Sequence, residues 1–185
     1  MLKSFSAFRA SHKLKQVLQL IIEGKKVQLH DAVNLCNNSE LTGWDMIKYV
    51  NFLVNKSMKY SVEIPFMPYK KAFEIGKGYC VQQAFCVRDI LRELGYDVQA
   101  VYCRKAFFKD SETISGHTWC RVRIDNIEKD VCTRNPNNRP GKVNFVPISQ
   151  VKKYSGLIAV GGYLGSISVC FKRLLATKLK SKFTK

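Results

Sequence analysis

The chain has 185 residues and a mass of 21.2 kDa, a size that suits one domain with a real core. Hydrophobic residues make up 46% and charged residues 24%, proportions that exclude wholesale disorder and a multi-span membrane protein. The formal net charge of +17, from 31 Lys and Arg against 14 Asp and Glu, predicts attraction to polyanions and specifies no fold.

Residues 1–22 hold no acid, and Lys3, Arg9, Lys13 and Lys15 mix with serines; they read as the basic face of a helix rather than an organelle leader. Leu14, Val17, Leu18, Ile21 and Ile22 recur at helical spacing, and Gly24 supplies a stop. A short helix is predicted over 30–36, ending in Asn37 and Asn38. Thr42 or Ser39 caps a third, with Trp44, Ile47, Val50 and Val54 on one face. Pro65 and Pro68 then break the chain into an extended linker.

From Gly76 the texture changes. Gly76-Lys77-Gly78 reads as a turn, and 81–94 is the clearest helix, with Ala84, Val87, Leu91 and Leu94 in one stripe and Gly95 at its end. Residues 98–104, 117–124 and 129–133 alternate with period two and read as strands, with an Asp125-Asn126 turn between the last two. Helices, a central helix and then an antiparallel sheet place the chain in the α+β class. The predicted division is an N-terminal helical subdomain over 1–68, a core over 69–155 and a basic C-terminal segment over 156–185. In that segment Ile167, Phe171, Leu174, Leu175 and Leu179 fall at helical spacing among cations, and no acid follows Asp130. It reads as a helix packing its stripe on the domain, or as an interfacial helix or nucleic-acid contact. The uncharged stretch 154–171 is broken by Gly and Ser and is not expected to span a membrane.

Seven cysteines, Cys36, Cys80, Cys86, Cys103, Cys120, Cys132 and Cys170, form an odd set with no Cys-x-x-Cys pair. That pattern excludes a zinc ribbon and a thioredoxin-like motif and argues against a fully paired disulfide framework. Without a secretory signal, the thiols are expected free in a reducing cytoplasm. No acidic cluster suggests calcium, and no metal or other cofactor is expected.

Cys80 stands apart from the other six. It follows a Gly-rich turn at the first position of the best helix, where unpaired N–H groups and the helix dipole are expected to stabilise a thiolate. The same N–H groups suit an oxyanion forming on an attacked carbonyl. A thiol nucleophile needs a base, and the base an orienting group. Of three histidines, His12 and His30 lie in the helical N-terminal part, whereas His117 opens a strand after Ser115-Gly116, where its ring is expected to be accessible. Asp130 on the next strand shares its sheet face. A two-residue Asp125-Asn126 turn sets Asp130 opposite Arg121, however, about 13 Å from His117 at about 3.3 Å per residue. A bulge, a twist or a different loop has to close that gap. The rival carboxylate, Asp125, reads as a turn residue.

The run Gly78-Tyr79-Cys80-Val81-Gln82-Gln83-Ala84, followed by Leu91-Arg92-Glu93-Leu94-Gly95-Tyr96, resembles the nucleophile helix of the transglutaminase-like superfamily. Gly116-His117-Thr118-Trp119 is similar to that family's His-x-Trp strand. Asp130-Val131-Cys132-Thr133 is similar to its Asp-x-Thr strand end, with Val131 where the family often has proline. The motifs stand in the family's order across residues 76–150. The resemblance implies a papain-like α+β fold of the small, single-domain bacterial type. It further implies a triad with Cys80 as nucleophile, His117 as proton carrier and Asp130 as orienting group. Trp119 would wall the site, Gly78 would permit close backbone approach, and Tyr79 and Gln82 would line it. No residue upstream of Cys80 matches a second oxyanion donor.

Two functions follow from different features. The motifs imply a cysteine-dependent acyl-transfer enzyme acting on an amide of a peptide or protein, acidic by complementarity, as hydrolase or transamidase. The compact chain favours hydrolysis. The charge instead suggests a catalytically silent transglutaminase-like basic module that binds nucleic acid or an anionic membrane surface through the C-terminal segment. Fold and triad do not choose the acyl acceptor.

Overall fold

The computed structural model describes residues 27–63 and 66–155. The chain divides into two units, Met1–Lys153 and Tyr154–Lys185, and every regular element among the described residues lies in the first. The expected helix over 14–22 and the basic helix within 156–185 lie outside the described residues. No helix among the described residues is long and apolar enough to cross a membrane.

Helix α1 (Leu29–Asn37) starts at a reciprocal capping box, in which the Gln28 N–H donates to Asp31 Oδ2 at 2.8 Å. Its three-and-four spacing buries Leu29, Ala32, Val33 and Cys36. Helix α2 (Gly43–Ser57) begins at Thr42 as expected, though the Thr42 side chain makes no capping bond. Met46, Ile47, Val50, Leu53 and Val54 carry its stripe into the core, while Trp44 is half-buried under Lys129 Nζ, 4.2 Å from its ring centroid.

The linker expected around Pro65 and Pro68 holds more structure than the prolines suggest. Strands β1 (Lys59–Tyr60) and β2 (Lys77–Gly78) pair in parallel, and Pro68 N-caps the six-residue helix α3 (Tyr69–Glu74) between them. Proline fits such a start because its missing N–H is not needed there. Helix α4 (Cys80–Glu93) follows and ends as its glycine predicts. The Tyr96 N–H donates to Leu91 O and the Gly95 N–H to Arg92 O, both at 2.9 Å, with Gly95 at φ +83°.

The sheet runs β5-β4-β3-β6 and is antiparallel throughout, formed by β3 (Asp97–Phe108), β4 (Thr113–Ile124), β5 (Ile127–Val131) and β6 (Phe145–Pro147). The two-residue β7 (Lys152–Lys153) also pairs with β3. Strands β3 and β4 are twelve residues each, longer than expected, because they go on pairing past a bulge between Cys103 and Ala106. Residues 113–116 are exposed there and show no apolar period. Asp125 and Asn126 both adopt positive φ, 47° and 64°, which makes the two-residue hairpin turn. It sets Arg121 opposite Asp130 in the expected register.

The architecture is α+β. Alternation along the strands produces two apolar layers. Val98, Cys120, Val122 and Val131 pack with the helices, and α4 lies against β3 and β4. Val101, Cys103, Phe108, Trp119, Cys132 and Phe145 form a second cluster.

Candidate active site

Cys80 is the first residue of α4, and the turn before it is fastened on both sides. The Lys59 N–H donates to Gly76 O at 2.8 Å and the Ser61 N–H to Gly78 O at 3.0 Å. The Tyr79 N–H donates to Gln82 Oε1 at 3.0 Å, and Gln82 Nε2 donates to Met67 O at 2.7 Å. A Cβ at Gly78 would stand 2.6 Å from Met58 Cε and 3.1 Å from Gln82 Oε1, so any other residue must displace these neighbours. Gln83 reaches further. Its Nε2 donates to Met58 O and its Oε1 accepts from the Thr133 hydroxyl, both at 3.0 Å. One amide therefore ties α4 to the chain after α2 and to the chain beyond β5.

His117 lies within β4 rather than at its start, and only 2% of it is exposed. The accessible ring expected from Ser115-Gly116 is not found, because those residues are extended by the β3–β4 pairing and form no loose lead-in. Phe108 and Phe145 meet the imidazole edge-to-face at centroid distances of 5.0 and 4.6 Å. Trp119 stacks on it at 5.7 Å.

Cys80 and His117 line one cavity, with Gln83, Thr118, Trp119, Cys132 and Arg134 among its walls. The space they enclose is too narrow to admit a water molecule. Cys80 itself is half-buried. Burial pushes the Cys80 thiol up, against hydrogen bonding from the Thr118 and Val81 backbone and against the Arg134 charge. The thiolate expected at this helix end is thus not the resting form: desolvation outweighs the N–H groups. Burial, aided by Arg134, pushes His117 down to about 3. Thiol and imidazole are both neutral at pH 7.

Asp130 does not meet His117. Its Oδ1 lies 2.9 Å from Arg121 Nε, directly across the ladder. Arg121 stands four positions along β4 from His117, and the β4–β5 register runs without a bulge that could close the distance. The pairing with His117 expected of Asp130 is not formed in this structure, where its carboxylate completes a partly exposed ion pair. The atom that meets the ring is Cys132 Sγ, 3.2 Å from His117 Nε2. Cys132 stands one residue beyond β5, and the two-residue period puts it on the same sheet face as Asp130 but nearer the imidazole. Extending the Asp125-Asn126 register by that one step would have found it.

Of the residues expected to line the site, Trp119 borders the cavity, whereas Gly78, Tyr79 and Gln82 build the turn that presents Cys80. Sequence reasoning missed Gln83 and Arg134. The Arg134 guanidinium lies 3.5 Å from the Phe108 ring centroid, and its backbone N–H donates to Cys132 Sγ at 3.4 Å. Nothing local marks either residue, since an arginine after a strand is ordinarily a solvated one. No group of three or more His, Cys, Asp or Glu among the described residues is placed to hold a metal.

No protein-family model matches the sequence, and no curated protein matches it. The folded chain is similar to several solved structures. One is a TGase, at 13% identity and a TM-score of 0.47, covering 58% of this chain and 30% of that one. Another is a candidate cysteine protease from Cytophaga hutchinsonii, at 10% identity and a TM-score of 0.45, covering 70% of this chain and 50% of that one. A third is a candidate protease from Parabacteroides distasonis, at 10% identity and a TM-score of 0.45, covering 80% of this chain and 29% of that one. The matched region spans half or less of each of these three. So remote a likeness concerns the backbone, and no activity or substrate carries over with it.

Proposed function

We propose that the protein is a cysteine-dependent acyl-transfer enzyme acting on an amide, with Cys80 as nucleophile and His117 as proton carrier. The observation that supports this reading is the presence of both residues on the wall of one cavity, one from a helix start and one from the neighbouring strand. Cys80 Sγ attacks the carbonyl carbon while its proton passes to His117. Collapse of the tetrahedral intermediate returns that proton to the departing amine and leaves a thioester on Cys80. Water or a second amine then takes the acyl group, so hydrolysis and transamidation differ only in the acceptor. Arg134 opposes the effect of burial on Cys80 and so favours the anionic sulfur that the first step needs. The charge of +17 suits an acidic peptide or protein as substrate.

One observation favours the silent-module reading: the cavity has no room for even a water molecule. Incubation of the full chain with p-nitrophenyl acetate, followed by intact-mass measurement, decides between the two. We expect one acetyl group on the wild type, none on Cys80→Ala, and acetylation slowed by about a hundredfold or more in His117→Ala. An adduct that persists in Cys80→Ala overturns the acyl-transfer reading. An unmodified wild type that binds polyanions with a steep loss on adding salt supports the silent module.

A further inference from the structure

We propose that Cys132 is the residue that positions His117, so that the site is a Cys80–His117–Cys132 triad with a neutral sulfur in the place expected of a carboxylate. The inference rests on the acyl-transfer reading for its reaction but not for its test.

The geometry has three parts. Cys132 Sγ lies 3.2 Å from His117 Nε2, within hydrogen-bond reach for sulfur. Cys132 is itself held: the Arg134 N–H donates to its sulfur at 3.4 Å, and Asn138 Nδ2 donates to its carbonyl at 3.1 Å. Asn138 is 5% exposed and locked in turn, its Oδ1 accepting from the Asn144 N–H at 3.0 Å. Finally, Phe108, Trp119 and Phe145 hold the imidazole plane on three sides, which leaves its Nε2 edge directed at the sulfur.

The titratable and charged groups around the ring are Cys80 on α4, Cys103 directly across on β3, Cys132 and Arg134. The carboxylate of Asp110 is turned to other partners, lying 4.0 Å from Arg134 Nη2 and 2.6 Å from Asn144 Nδ2. With Nε2 engaged by Cys132, Nδ1 is the nitrogen left to take the Cys80 proton. For that, Nε2 must keep its own hydrogen and donate it to Cys132 Sγ. A thiol pushed up to about 12 by burial accepts that bond without bringing a negative charge. It therefore fixes the tautomer and the ring orientation but does not stabilise an imidazolium, in agreement with His117 being pushed down to about 3.

Three substitutions in the full chain test the assignment: Cys132→Asp, Cys132→Ser and Cys132→Ala. The readouts are an NMR titration of His117 and the pH dependence of Cys80 alkylation by iodoacetamide. A carboxylate at residue 132 should raise the His117 pKa by about 1 to 3. Serine, which can still accept from Nε2, should keep the wild-type profile. Alanine, with no acceptor, should slow alkylation by about tenfold or more. The proposal is overturned if Cys132→Ala alkylates at the wild-type rate, or if folded Cys132→Asp leaves the His117 titration unmoved. Should the buried carboxylate unfold the protein, the serine and alanine rates alone decide. Failure of acyl transfer together with a shifted His117 titration rejects the enzymatic reading and keeps this one.

Discussion

Burial strips from His117 the water that would solvate an imidazolium, and Arg134 adds a like charge, so the ring stays neutral down to about pH 3. In the unfolded chain the same imidazole takes up a proton near pH 6.5. Between those values the unfolded state binds more protons than the folded state, so stability rises with pH across the window. It is fully present above about pH 6.5 and is lost as pH falls toward 3, at up to about 1.4 kcal/mol per pH unit. His117→Gln cannot take up the proton, so its stability should fall less steeply. Urea unfolding at pH 7, 5.5 and 4.5 measures both slopes, and equal slopes would contradict the burial argument. Cys80 shows the same balance from the acid side: its place at the helix start was legible in Gly78-Tyr79-Cys80, but the sign of its shift was not. Helix position is written locally, whereas desolvation comes from Thr118, Trp119 and Cys132, distant in the chain.

At the level of elements, the Gln83 amide connects α4 to two others. Gln83→Leu would leave Met58 O and the Thr133 hydroxyl buried without partners and should cost about 1–3 kcal/mol in a urea titration. It should also loosen residues 132–133 beside His117, so Cys80 modification should slow in the folded variant. A stability within a few tenths of wild type would show that the clip carries no weight. Helix α4 and the β4–β5 hairpin could be read directly from the sequence, because Ala84, Val87 and Leu91 mark a stripe, Gly95 a stop and Asp125-Asn126 a turn. Helix α3 and strands β6 and β7 could not, since six, three and two residues are too short to display a period. The same local register already placed Asp130 on Arg121, and the structure keeps that pairing.

At the scale of the molecule, Cys36, Cys86, Cys103, Cys120 and Cys132 are buried and free among the described residues. Burial pushes all five thiols up, Cys36 and Cys132 to about 12. In the unfolded chain, thiols ionise from about pH 8.5. Above that the unfolded state releases protons that the folded state keeps, so stability falls as pH rises. With the opposite effect of His117 on the acid side, maximum stability should lie between about pH 7 and 8.5. A urea midpoint that stays constant from pH 7 to 10 would contradict this. Cys120→Val removes one such thiol and should flatten the alkaline limb.

The sequence by itself determined the α+β class, the helix that begins at Cys80, the strand that carries His117 and the turn that aligns β4 with β5. Each of these follows from periodicity, capping and turn chemistry within a few neighbouring residues. Only the tertiary structure decided that Cys80 and His117 share a narrow cavity, that both are neutral at rest and that a sulfur meets the imidazole. Burial and proximity arise where elements far apart in the chain pack together, and no local pattern records which side chains will lose their water there.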